Sequence, residues 1–279
     1  MNQAPDDTLA ANLQRILDGP PEQAAATLRA AAEGGVAQAQ LVYGQWLLDG
    51  HGVARDPAQA VQWFEHAARK NDPMSLNMLG QCHAHGWGVP ANPLLAAYWF
   101  RLAALGGLDW GMYNYATALT LGQGVTQDRA AALDWFRRAA AAGHAKSSNM
   151  IGSFYEDGWV VEQDEETALA HYLEAARGGD FRGQFNTARL FIARGQVGDA
   201  LPWLARIPET ATPAFLRKAA AWLQSWIDAT SRNGPAPTPE AIATIQRLIL
   251  HYAQHPGTPA PGAGVPAPRI HAPVSNQSS

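Results

Sequence analysis

Four glycines, Gly50, Gly86, Gly122 and Gly158, stand 36 residues apart, and a register held that long constrains the architecture more than any other feature of the chain. The same step relates Val53, Val89, Val125 and Val161, and also Ala60, Ala96, Ala132 and Ala168. It relates the pairs Ala67-Ala68, Ala103-Ala104, Ala139-Ala140 and Ala175-Ala176, and it links Trp63, Trp99 and Trp135 before reaching His171. Four consecutive units keep this spacing without an insertion, so the chain is built from one repeating supersecondary unit.

Each unit reads as two helices. In the first, Ala37 to Asp49 are good helix formers, and Gly50 follows where a helix end needs a positive φ at no Cβ cost. Gly52 makes a second turn, and Val53 plugs back into the core. Asp56-Pro57 then opens the second helix, an N-cap followed by proline at the first helical position. Asn92-Pro93 repeats the device, and Asp128 and Asp164 keep the cap without the proline. Ala60, Trp63, Phe64, Ala67 and Ala68 fall at steps of three and four, on one helix face. A single hairpin of this kind cannot bury its apolar face, and the next hairpin must cover it. The expected fold is therefore all-α, an α-solenoid of stacked antiparallel hairpins.

The ends deviate as solenoid ends should. Residues 6–35 read as a shorter capping hairpin, with Ala24, Leu28, Ala31 and Ala32 one period before Ala60, Phe64, Ala67 and Ala68. Residues 36–179 hold the four regular units. Residues 180–211 keep the register through Ala188 and Phe191, but the glycine loop is lost and Trp203 comes four residues early relative to His171. Two capping helices are expected within 212–255, over 212–229 and 239–254. Residues 256–279, rich in Pro and Gly, read as a disordered tail.

A net charge of −4 offers no basic footprint for nucleic acid. No stretch of about 20 apolar residues is present to cross a membrane, and the acidic start, Asp6-Asp7, lacks the pattern of a secretory leader. Cys82 is the only cysteine, which points to a reducing compartment, the cytoplasm. The remaining motifs have structural readings. Gly50-His-Gly52 and Gly122-Gln-Gly124 follow helices and lack the third glycine of a dinucleotide loop. Cys82, His83 and His85 form the one compact soft-ligand cluster, but adjacent Cys82 and His83 diverge by about 100° on a helix. His83 shares its position with Leu47 and Leu119 and is expected to face the core. Gly152-Ser153 lacks the frame of a nucleophile elbow. The acids Glu156, Asp157, Glu162, Asp164, Glu165 and Glu166 lack the alternation of a calcium loop and read as a solvated loop, with Asp164 to Glu166 at a helix N-terminus where the macrodipole favours them. No cofactor or metal is expected. Trp87 and Trp159 share a loop position, and either meet a partner or pack on the neighbouring hairpin.

The second unit, with Ser75, Leu79-Gly80, Gly86-Trp87-Gly88-Val89, Asn92, Ala96, Trp99-Phe100, Ala103-Ala104 and Gly107, resembles the Sel-1-like repeat of the tetratricopeptide superfamily. Two departures stand out: Ala116 replaces the helix glycine of the third unit, and Val160 the second loop glycine of the fourth. The resemblance implies a right-handed superhelix and a non-enzymatic scaffold or adaptor of bacterial or eukaryotic signalling and assembly, holding a peptide or protein segment in a concave groove. The groove positions it implies are Gln38, Leu41, Gln45 and Leu48, then Met74, Asn77 and Gln81, then Trp110, Tyr113 and Thr117. The later units contribute Lys146 and Asn149, then Arg182, Phe185, Asn186 and Arg189. Lys146 and Arg182 are equivalent in successive units, an array suited to an acidic segment. The alternative is a hydrolase of cell-wall-type substrates, as proposed for cysteine-rich relatives that carry paired cysteines. A further possibility is assembly by self-stacking.

Overall fold

A computed structural model describes residues 19–233 and 238–254, and every regular element among them is helical. The expected first helix of the N-terminal hairpin, most of the linker after Ser231 and the tail 256–279 lie outside the described residues. The chain divides into two compact units, one extending to residue 111 with residues 123–125, the other from residue 112 onward.

The first unit contains α1 (Pro21–Glu33) and the hairpins α2 (Ala37–Asp49) with α3 (Pro57–Ala68) and α4 (Pro73–His85) with α5 (Pro93–Leu105). Helix α6 (Asp109–Leu121) begins in the first unit and runs into the second. The second unit continues with α7 (Arg129–Ala141), α8 (Ala145–Asp157), α9 (Glu165–Arg177), α10 (Phe181–Ala193), α11 (Val197–Arg206), a short 3₁₀ turn at Ile207–Glu209, α12 (Pro213–Asn233) and α13 (Pro239–Gln254).

The hairpin loops work as their residues dictate. The N–H groups of Gly50 and His51 both donate to the Trp46 carbonyl, at 2.8 and 3.0 Å, and Gly50 takes φ +74°. The Asp56 N–H returns to the Leu47 carbonyl at 2.8 Å, and its carboxylate accepts from the Gln59 N–H at 3.0 Å. Asn92, Asp128 and Asp164 cap α5, α7 and α9 in the same way. Asp72 and Asp180 cap first helices, α4 and α10, where no cap was anticipated. These bonds satisfy first-turn donors that have no partner within the helix.

Within a hairpin the two helices meet at a glycine. A Cβ on Gly80 would lie 2.4 Å from the Phe100 ring, and one on Gly152 2.6 Å from the Tyr172 ring, so the missing side chain is what lets the aromatic fill the seam. Phe64, Phe136 and Tyr172 are all essentially buried there, flanked by Ala60, Ala132 and Ala168. The third repeat holds Ala116 fully buried in the glycine's place. Val160, in the second loop position of the fourth, adopts φ +57°, a region a β-branched residue rarely enters.

Two details depart from the pattern reading. Cys82, not His83, is the fully buried member of that cluster, and His83 is only half-buried. Position 82 corresponds to Ala118 and Phe154 in the third and fourth repeats, both buried, so in this repeat it is this position and not that of His83 that the fold closes over. Helix α12 also continues to Asn233, past the expected end at 229. At the C-terminal end, Tyr252 of α13 is buried and donates its hydroxyl hydrogen bond to the Leu204 carbonyl of α11.

Candidate functional site

The outer face of each first helix is set by the repeat, because the helix glycine and its neighbours must face the second helix. In the first unit that face is largely closed. Leu41, Leu48, Asn77 and Gln81 are buried, Gln38, Gln45 and Met74 half-buried, and the Gln81 side chain pairs with His85 at 3.0 Å. Trp110, half-buried, falls on the first unit's side of the division.

The second unit gathers more chemistry. Arg182 is exposed at the start of α10, its guanidinium 4.6 Å from the Phe181 ring centre. Lys146 occupies the equivalent position on α8 and is half-buried. Burial holds the Lys146 ammonium below its ordinary value, the Asp180 carboxylate opposes that shift, and the like charge of Arg182 adds to it. Burial in turn pushes Asp180 up, and the Gly183 N–H and the two cations pull it back. Tyr113 and Thr117 are half-buried on α6, and burial raises the Tyr113 phenol. Further along, the Asn186 amide donates to the Asn149 side-chain oxygen at 2.9 Å, tying α10 to α8. Asn149 is thereby buried and used.

Arg189 has another role. Its guanidinium lies 2.6 Å from both oxygens of Glu156, and the Glu156 carboxylate also accepts from the Tyr172 hydroxyl at 2.6 Å. Arg189 and Glu156 are only about a quarter exposed (26% and 25%), so this is a shielded pair and not a free cation on a surface. The Ser153 hydroxyl lies 3.2 Å from that of Tyr172 and donates to the Asn149 carbonyl at 3.3 Å. The sequence pattern places Glu156 in a solvated acidic loop, whereas its carboxylate is shielded in the structure. The signal was present, however, as three coupled departures from the repeat. Tyr172 stands where other units have Phe64, Phe100 and Phe136; Glu156 where they have Leu48, Ala84 and Thr120; Arg189 where they have Gln45, Gln81 and Thr117. A buried hydroxyl calls for an acceptor, and a half-buried carboxylate for a cation.

An aromatic edge beside Phe185 was also missed. Phe185 meets Phe215 at 5.6 Å and Trp222 at 5.4 Å between ring centres, both edge-on. Phe215 and Trp222 lie on α12, outside the regular repeats, so no 36-residue step could align them with the groove positions. All three rings remain partly exposed. The loop tryptophans are mostly engaged within the fold. Trp87 stacks on His85 at 4.6 Å and packs on the core. Trp159 lies edge-on to Phe154 at 5.5 Å, with the Arg129 guanidinium 4.4 Å over its ring.

Among the described residues no group of three or more His, Cys, Asp or Glu side chains is placed to hold a metal ion, and no helix is long and apolar enough to cross a membrane. The Cys82 thiol, buried, is pushed up to about 12. The second unit holds two cations one repeat apart, a braced amide pair and an aromatic edge.

The Sel1 repeat profile matches residues 37–72, 73–108, 111–144 and 145–180. Among solved structures, a Sel1 repeat protein from Oxalobacter formigenes is similar at 25% identity and TM-score 0.72, over 86% of this chain and 98% of that one. The protein c5321, a protective antigen of uropathogenic Escherichia coli with an SLR fold, is similar at 26% identity and TM-score 0.63, over 83% of this chain and 49% of that one. No curated protein matches significantly. Sel1 repeats mediate protein interactions and the family is generally a non-enzymatic scaffold family; with the profile spanning half of its length in four successive hairpins, this chain belongs to the Sel1 repeat family.

Proposed function

We propose that the chain is a non-enzymatic adaptor that binds a protein segment on the first-helix face of its second unit, the segment supplying a carboxylate and an aromatic or large apolar side chain. The observation that carries this reading is the placement of Lys146 and Arg182 one repeat apart, with Phe185, Phe215 and Trp222 farther along the same unit. Half-burial of Lys146 is what gives the site energetic leverage. A carboxylate meeting it away from bulk water gains a charge-assisted bond of about 1.5–3 kcal/mol, whereas an exposed pair gives under about 1 kcal/mol. The chain as a whole is acidic, at −4, so this attraction acts at short range and fades with salt.

Arg189 stands outside the binding set, because its charge is answered by Glu156; it stiffens α8 against α10 instead. Binding without turnover fits the residues present. The Ser153 hydroxyl is bonded to Tyr172 and to a main-chain carbonyl, and the lone Cys82 is buried with a raised thiol. That single shielded cysteine also suits a reducing compartment, and we place the chain in the cytoplasm.

The test is an array of immobilised peptides varied in acidic and aromatic content, probed with the full chain and with a Lys146→Ala/Arg182→Ala variant. Peptides joining an acid to an aromatic should be selected, and the variant should lose more than about tenfold in affinity. Selection indifferent to charge, or binding undiminished in the folded variant, would overturn the assignment.

A further inference from the structure

Helix α5 in the first unit carries an apolar stripe in water: Leu94 is 71% exposed, Leu95 40%, Tyr98 52% and Leu105 61%. Leu94, Tyr98, Arg101 and Leu105 follow one another at steps of four, three and four, so they form one seam along about 16 Å of helix. The repeat itself does not require these residues. The positions of Leu94, Leu95, Tyr98 and Leu105 hold Ala58, Gln59, Gln62 and Arg69 in the preceding repeat. They hold Ala130, Ala131, Asp134 and Ala141 in the following one, and Glu166, Thr167, Ala170 and Arg177 in the last. Three repeats of the same chain thus serve as internal controls, and each stays small or polar where α5 is apolar. Arg101, inside the seam, forms no ion pair among the described residues.

We propose that α5 pairs with α5 of a second copy, antiparallel, about a two-fold axis passing between Tyr98 and Arg101. In that register Leu94 meets the partner's Leu105, and Tyr98 meets the partner's Arg101. Each layer then matches: leucine on leucine at the ends, and a guanidinium on an aromatic face at the centre. A parallel pairing sets Arg101 against the partner's Arg101, and a slip by one heptad leaves two leucines in water. The seam is therefore self-complementary in one arrangement, which is what a closed two-fold interface demands. The exposed apolar area, on the order of 400 Å² per copy, places the contact at the small, transient end of protein interfaces. Association is accordingly weak and concentration-dependent. The inference does not rest on the peptide-binding reading and survives its failure.

The full chain is followed by sedimentation velocity over a wide concentration series, beside a Leu94→Asp/Leu105→Asp variant whose melting curve confirms the fold. A reversible monomer–dimer equilibrium is expected, with the association constant lowered more than about tenfold in the variant. Register is read in a Cys82→Ala background. A mixture of Leu94→Cys chains with Leu105→Cys chains should form disulfide-linked dimers on mild oxidation, and Leu94→Cys chains alone should not. A monomer at every concentration overturns the proposal. So does a dimer indifferent to the two aspartates, or crosslinking of Leu94→Cys chains to one another.

Discussion

Two glycines of one loop, Gly86 and Gly88, separate the cost of backbone conformation from the cost of contact between hairpins. Both have positive φ, +72° and +71°. A Cβ on Gly86 would find its nearest neighbour at 3.6 Å, an ordinary contact. A Cβ on Gly88 would fall 2.1 Å from the Pro57 carbonyl oxygen and 2.7 Å from the Ala58 nitrogen, main-chain atoms at the start of α3 that have no rotamer to change. The same approach recurs at Gly52 on Pro21 and at Gly124 on Pro93, so this loop glycine is where one hairpin seats on the one before. Gly86→Ala should therefore cost only the left-handed penalty, about 1–2 kcal/mol. Gly88→Ala should cost that plus the displacement of α3, about 1–3 kcal/mol more. In a stack where each hairpin braces the next, the second defect also weakens its neighbour. Urea titration followed by circular dichroism measures both variants beside the parent chain. Gly88→Ala should unfold at clearly lower denaturant than Gly86→Ala. Equal midpoints would refute the claim that contact between hairpins, and not φ alone, fixes this glycine.

Other expectations follow from single contacts. A double-mutant cycle of Glu156→Gln and Arg189→Gln should give a coupling of about 1–3 kcal/mol, since the pair is shielded; coupling near zero would make it a mere surface contact. Burial holds the His144 imidazole down at about 4, so the folded state prefers it neutral. Its contribution is full above the unfolded value near 6.5 and is lost as pH falls from there toward 4, up to about 3 kcal/mol; a His144→Gln chain should show a flatter stability profile across that window, and an unchanged slope would contradict the assignment. Tyr252→Phe should lower stability by about 1 kcal/mol by removing the hydroxyl that anchors α13 to Leu204, whereas truncation after Gln254 should leave the melting curve where it was.

The hairpin architecture was readable because its causes are local and repeated. A glycine at a helix end, an Asp or Asn three residues before a backbone donor, and an alanine–aromatic face each imply the same geometry wherever the 36-residue step places them. The candidate surface was only partly readable for the converse reason. Asn77 and Gln81 occupy groove positions by register, yet they are buried in the first unit, since register fixes direction and the neighbouring side chains decide access. Arg189 looked like a free cation because its answering charge, Glu156, sits 33 residues earlier, outside any local pattern. Phe215 and Trp222 come from α12, where the period has ended. The α5 stripe was written in the sequence as four apolar departures from the repeat, but only exposure distinguishes such a stripe from core.

Hydrogen exchange of the full chain with and without an acid-and-aromatic peptide selected from the array tests the central claim most directly. The account predicts slowed exchange concentrated in the N-terminal turns of α8 and α10, around Lys146 and Arg182, and along α12 near Phe215 and Trp222, with the first unit unchanged. Protection confined to the loops of Trp87 and Trp159, or to α5, would show that the partner binds elsewhere and would contradict the account.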